Sequence, residues 1–104
     1  MRTSTHYKGG FTGGMKVGHV AEAFGMKAEV HGGGHNNLHL CLALPNNTYY
    51  EDLVIDVEDI EAKGKGQLKF ENGMYSFKEQ VAGVGIEYDH DELETISIQK
   101  YKKF

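Results

Sequence analysis

Residues 9–34 read GGFTGGMKVGHVAEAFGMKAEVHGGG. The stretch opens on glycines, runs through a helix-like segment and closes on a strand-like segment that ends in a second glycine cluster. Thr12 is expected to cap the helix, and Val17, Val20, Ala21 and Phe24 follow the i, i+3, i+4, i+7 spacing of a buried stripe. Gly25 suits the helix end, because a terminating residue in the left-handed region favours glycine. Lys27 to His31 then alternates, with Ala28 and Val30 on one face and Glu29 and His31 on the other, as a strand requires.

Working outward, MRTSTHY before the first glycines reads as a strand, broken at Lys8-Gly9-Gly10. After the second cluster, Asn36 or Asn37 is expected to cap LHLCLAL, which ends at Pro45. Leu38, Cys41 and Leu42 fit a helix, yet the run is apolar on all sides and fits a buried strand as well. Thr48, Tyr49 and Tyr50 have the high β propensity of a short strand ended by Glu51-Asp52. Strand, helix, strand, helix, strand, with glycine loops opening the helices, is the order of consecutive parallel βα units. Beyond it the pattern changes. QLKFENGMYSF places Asn72-Gly73 between two alternating segments, a type I′ hairpin signal. GVGIEYD offers an extended segment, DHDELE a short helix capped by Asp89, and SIQKYKKF a strand or basic tail.

Composition narrows the functions open to such a chain. Its 104 residues allow one domain of ordinary size, and 11 Lys plus Arg against 15 Asp plus Glu leave a net charge of −4. That balance lacks the basic footprint of a nucleic-acid binder. No apolar run approaches a membrane span, and MRTSTHYKGG lacks a signal peptide's apolar core, so the expectation is a cytoplasmic protein without membrane or nucleic-acid partners. One cysteine, Cys41, gives neither an internal disulfide nor a thiolate cluster. Acidic residues before position 51 are limited to Glu22 and Glu29, whereas His6, His19, His31, His35 and His39 all fall in the first 39 residues.

Each motif has a plain reading beside a chemical one. KGGFTGGMK resembles a phosphate cradle, but Met15 stands where a Walker loop needs lysine. What remains is a tight βα turn whose amides could receive a carboxylate or phosphate. His31, His35 and His39 recur every fourth residue, as a zinc or nickel site on one helix would, but Gly32-Gly33-Gly34 breaks that helix and no acidic or thiolate ligand is near. His39 reads as a solvent-facing or loop-packing side chain. His31 ends a parallel strand just before a glycine loop, and Glu51 ends the next strand. In α/β barrels catalytic groups occupy such ends, so these two residues could act as base and acid around one substrate, although on the residues alone a structural histidine is the commoner case.

The same residues carry a family resemblance. GGFTGGMKVGHVAEAFGMKAEVHGGG followed by LHLCLALPNNTYYE resembles the C-terminal part of the enolase superfamily, in its mandelate racemase branch. Shared features are a GG-x-TG loop, a helix ending in AEA-F/Y-G, a strand ending in histidine and a strand ending in glutamate. GVGIEYDHDEL resembles the segment that closes many of these chains, so the likeness runs through nearly the whole sequence in order.

The resemblance implies an α/β fold, the C-terminal part of a modified eightfold (TIM-like) barrel followed by a hairpin-containing tail. Residues 1–52 would be the last βα units, and 53–104 the tail that packs toward a capping domain. The implied chemistry is proton removal beside a carboxylate, with an enediolate stabilised by Mg2+, as in a racemase or sugar-acid dehydratase. His31 takes the place of a general acid/base and Glu51 that of the glutamate that hydrogen-bonds the enediolate, with Gly10 and Gly32 as substrate-binding positions. The expected small-molecule partner carries a carboxylate. Three departures stand beside these expectations. A barrel needs about 250 residues. The family's magnesium carboxylates lie on strands that precede Met1, so no metal ligand and no cofactor is expected from this chain alone. Ser4 occupies the place of the aspartate that relatives pair with the histidine. The chain therefore reads as incomplete by itself, needing a complementary N-terminal half or self-association, or else as a noncatalytic oligomeric or ligand-binding module derived from such an enzyme.

Overall fold

The computed structural model describes residues 1–53, 66–91 and 94. Strand β1 (Arg2–Thr3), helix α1 (Gly10–Ala23), strand β2 (Glu29–Val30) and helix α2 (His35–Ala43) follow one another in a first unit, residues 1–55; strands β3 (Leu68–Glu71) and β4 (Met74–Phe77) belong to a second, residues 56–104. The chain is thus α/β, and β1 pairs with β2 in parallel, Arg2 opposite Glu29 and Thr3 opposite Val30. The ladder continues past both ends, where the Glu29 N–H donates to the Met1 carbonyl at 2.9 Å and the His31 N–H to the Thr3 carbonyl at 2.8 Å.

Period-two alternation gives this small sheet two unlike faces. Thr3 and Val30, both buried, turn toward the helices; Thr3 Oγ1 donates to the Gly14 carbonyl and Val30 joins Ala21, Ala28, Leu40, Cys41 and Leu44 in the core. Arg2, Glu29 and His31 occupy the other face. The sheet face away from the helices is therefore charged rather than apolar.

Helix α1 buries only Ala21 of the stripe its apolar residues suggest. Gly14, Gly18 and Ala21 are its buried positions, whereas Val20 is 48% and Phe24 77% exposed. A Cβ on Gly14 would come within 2.7 Å of Leu40 Cδ2, and one on Gly18 would overlap Leu44 Cδ2. Small residues let the α1 backbone approach α2 closely, and Val20 stands on the outer face. Thr12 lies inside α1 rather than capping it; the N-cap is Gly9, and a Cβ on Gly13 would overlap the Lys8 carbonyl, so the glycine run folds tightly on itself. The helix ends as its sequence suggests. Gly25 is left-handed (φ 66°), its N–H donates to the Glu22 carbonyl and that of Met26 to the Ala21 carbonyl, the paired bonds of a Schellman motif.

LHLCLAL is helical, but neither asparagine caps it. Gly34 is the N-cap, and Asn37 sits fully buried in the first turn. Thr48 to Tyr50 form no strand. The Val30 N–H is taken by Asn47 Oδ1 at 3.1 Å, and the Thr48 N–H by Glu29 Oε2 at 3.0 Å, so side chains occupy donors that a third ladder would have used.

In the second unit the hairpin forms in antiparallel register, Leu68 opposite Phe77 and Glu71 opposite Met74. Asn72 (φ 53°) and Gly73 (φ 77°) supply the two positive φ angles of the type I′ turn. Phe70 and Tyr75 face each other across the strands with ring centroids 4.9 Å apart. The segment expected to be extended begins instead with a turn, in which the Gly85 N–H donates to the Ala82 carbonyl at 3.4 Å. Asp89 does act as a cap: its Oδ1 accepts from the Asp91 N–H at 3.1 Å, and residues 90, 91 and 94 are helical. SIQKYKKF lies outside the described residues. No helix among them is long and apolar enough to cross a membrane.

Candidate active site at the end of the parallel strands

The charged sheet face gathers three side chains from three segments. Arg2 projects from β1, His31 follows β2, and Glu51 arrives on the loop after α2. Arg2 Nη2 donates to Glu51 Oε1 at 2.6 Å and lies 2.7 Å from His31 Nδ1; His31 Nδ1 lies 2.5 Å from Glu51 Oε2. The Gly32 N–H donates to the same Oε2 at 2.8 Å. Gly32 is the residue at which the chain leaves β2, and its left-handed backbone (φ 90°) turns that N–H toward the carboxylate.

Electrostatics follow from these contacts. The Arg2 hydrogen bond, the Gly32 N–H and the His31 contact all favour the carboxylate form, and together they hold Glu51 down at about 2. The Glu51 charge raises Arg2 in return. The cluster is open enough for a ligand: the side chains of His31 and Arg2 are 44% and 52% exposed, that of Glu51 only 21%.

The strand ends are fixed from behind by Asn37. Its Oδ1 accepts from both the Thr5 N–H and the Thr5 hydroxyl at 2.9 Å, while its Nδ2 donates to the carbonyls of His31 and Gly32 at 3.0 Å and of Gly33 at 3.3 Å. One buried amide therefore ties the exit of β1 to the exit of β2. The Gly34 N–H is held separately by the Tyr50 hydroxyl at 2.8 Å.

Of the positions singled out in the sequence, His31, Glu51 and Gly32 meet here. Gly10 does not join them: its N–H donates to the Thr5 carbonyl at 3.1 Å, within the turn that leads into α1. Ser4 is buried, and its hydroxyl accepts from the His6 N–H and from Asn37 Nδ2, on the helix side rather than beside His31. His35 is buried in the first turn of α2, separated from His31 by the glycine loop. Arg2 and Asn37 were not anticipated. Arg2 had a signal, since alternation in a parallel pair places residue 2 on the face of residues 29 and 31. Cys41 is buried behind the site, and desolvation together with the Glu29 charge pushes its thiol up to about 11, so it stays protonated.

A magnesium ion, which the resemblance implies for a complete enzyme, does not fit these residues. Among the described residues no group of three or more His, Cys, Asp or Glu could hold a metal, and both oxygens of Glu51 already accept from N–H donors.

Comparison with known families gives one match: the family described as enolase C-terminal domain-like, over residues 1–92. No curated protein and no solved structure gives a significant match.

Proposed function

Because the chain belongs to the enolase C-terminal domain-like family, we propose that it is the C-terminal portion of a mandelate racemase-like racemase or sugar-acid dehydratase, acting in the cytoplasm. Residues 1–52 are then the last βα units of its barrel and 53–104 the tail. The observation that carries this reading is the meeting of His31 and Glu51, distant in sequence, beside the Gly32 N–H at the C-terminal end of a parallel strand. Parallel α/β units keep their reactive groups at that end.

His31 is the group that moves the proton. Its imidazole takes the hydrogen from the carbon beside the substrate carboxylate, and the C–H electron pair passes into the enediolate. Return of a proton to that carbon from the opposite face gives racemisation; transfer of the imidazolium proton to a neighbouring hydroxyl, which then leaves as water, gives dehydration. In a complete enzyme of the branch, residues of the complementary N-terminal portion would hold a Mg2+ that would supply positive charge beside the substrate carboxylate. A second reading, a noncatalytic oligomeric or ligand-binding module, draws support from Glu51, whose two oxygens are both engaged within the chain.

The test is solvent-deuterium exchange at the carbon beside the carboxylate in a panel of sugar acids, with a polypeptide carrying the family's N-terminal portion supplied in trans. General acid/base groups contribute about 10² to 10⁴-fold. His31→Ala is expected to lose exchange by at least about 100-fold, with His39→Ala near wild type. No exchange by the wild-type chain favours the noncatalytic module, and equal exchange in the two variants removes His31 from the chemistry.

A further inference from the structure

A histidine acting as acid and base needs a partner that fixes its ring and its tautomer, and the expected aspartate position holds Ser4, which faces away. The cluster contains a substitute. His31 Nδ1 has two neighbours, a guanidinium that only donates and a carboxylate oxygen that only accepts. If Nδ1 were bare it would accept from Arg2, but its lone pair would then face that of Oε2 across 2.5 Å with no proton between them. If Nδ1 carries the proton it donates to Oε2, while Arg2 Nη2 donates to Oε1, so both carboxylate oxygens accept. The second arrangement turns the shorter contact into a hydrogen bond to a charged acceptor and leaves the longer one, 2.7 Å between Nη2 and Nδ1, as an approach of two donors; the first sets a lone pair against a carboxylate oxygen at the shorter distance, so the geometry favours the second.

We propose that Glu51, braced by Arg2 and the Gly32 N–H, orients His31 through Nδ1 in place of the absent aspartate and leaves Nε2 as the atom that exchanges a proton with substrate. Glu51 and Arg2 are then positioning residues that act through the imidazole. In a neutral His31 the bare Nε2 is the base; once it has taken the substrate proton, Nε2–H is the acid. The inference rests on the proton-transfer reading of His31 for its purpose, not for its geometry.

The tautomer can be read without turnover. Long-range 1H–15N spectra of the ring nitrogens in the full chain, with His31 assigned by the loss of its signals in His31→Gln, are expected to show the neutral His31 ring protonated at Nδ1 and bare at Nε2. Glu51→Ala is expected to shift His31 to the Nε2–H form that an unpartnered imidazole favours, and Arg2→Met to give a smaller shift in the same direction. Nε2–H in the wild-type chain overturns the proposal, as does a tautomer unchanged by Glu51→Ala. The wild-type spectrum decides on its own should a variant fail to fold. Nδ1–H without deuterium exchange would sink the enzymatic reading and keep the pair; exchange with Nε2–H would do the reverse.

Discussion

Asn37 shows how a single buried amide can hold a loop between two strand ends. It is fully buried, and its two donor hydrogens and one acceptor are shared among the exits of both strands. Leaving buried carbonyls without a donor costs about 1–3 kcal/mol each, so Asn37→Asp, which removes the donors and faces a carboxylate toward carbonyl oxygens, is expected to lose about 3 kcal/mol or more. The exposed Asn36→Ala should be within about 0.5 kcal/mol of wild type. Urea unfolding of the two variants makes the comparison. In the sequence the adjacent asparagines looked interchangeable, both plausible caps. Only the packing of two loops around one of them separates their roles, and nothing local encodes that. His31 was legible because a strand end before a glycine loop is a local pattern; Glu51 was expected at the end of a strand that does not form.

Glu51 also makes a pH prediction. Its folded value, about 2, lies below its ordinary 4.5, so the unfolded chain binds more protons between those limits and stability rises with pH there. The contribution is complete above about pH 4.5 and disappears as pH falls toward 2. Urea midpoints followed from pH 6 to 2 should therefore fall less steeply for Glu51→Gln than for wild type; parallel curves would mean that the ion pair with Arg2 does not form in solution.

At the scale of elements, Ala21 is the one member of the expected α1 stripe that is buried. Val20 and Phe24 have the correct spacing, yet Gly14, Gly18 and Ala21 face the core because their smallness brings α1 close to α2. Two glycine substitutions separate close packing from backbone collision. In Gly18→Ala the new methyl meets the end of the Leu44 side chain, which can turn aside; overpacking costs about 1–3 kcal/mol, offset by about 1 kcal/mol of helix propensity. In Gly13→Ala the methyl meets the Lys8 carbonyl, which is backbone, so the whole turn must move. Gly13→Ala is expected to be the more destabilising in thermal unfolding, despite the same propensity gain. The helix end at Gly25 and the turn at Asn72-Gly73 were readable because backbone geometry demands those residue types locally. The missing third strand was not readable, since it depends on Asn47 and Glu29 side chains taking the backbone donors of Val30 and Thr48.

On the scale of the whole molecule, the sheet face away from the helices carries Arg2, Glu29 and His31 and offers a second copy no apolar surface. Self-association would instead draw on the outer side of α1, where Val20 and Phe24 are exposed, and on a two-stranded sheet too small to be stable alone. Sedimentation equilibrium at micromolar concentration is expected to return a mass above the 11.6 kDa of one chain. A monomer with a cooperative unfolding transition would show that the described core suffices without a partner.

Whether His31 and Glu51 act as one unit in moving a proton is read by a double-mutant cycle on deuterium exchange, with the N-terminal portion supplied in trans. Groups that work through one another are strongly non-additive. His31→Ala combined with Glu51→Ala is expected to exchange no more slowly than His31→Ala alone. Losses that multiply in the double variant would show that Glu51 acts independently of the imidazole and would contradict the account.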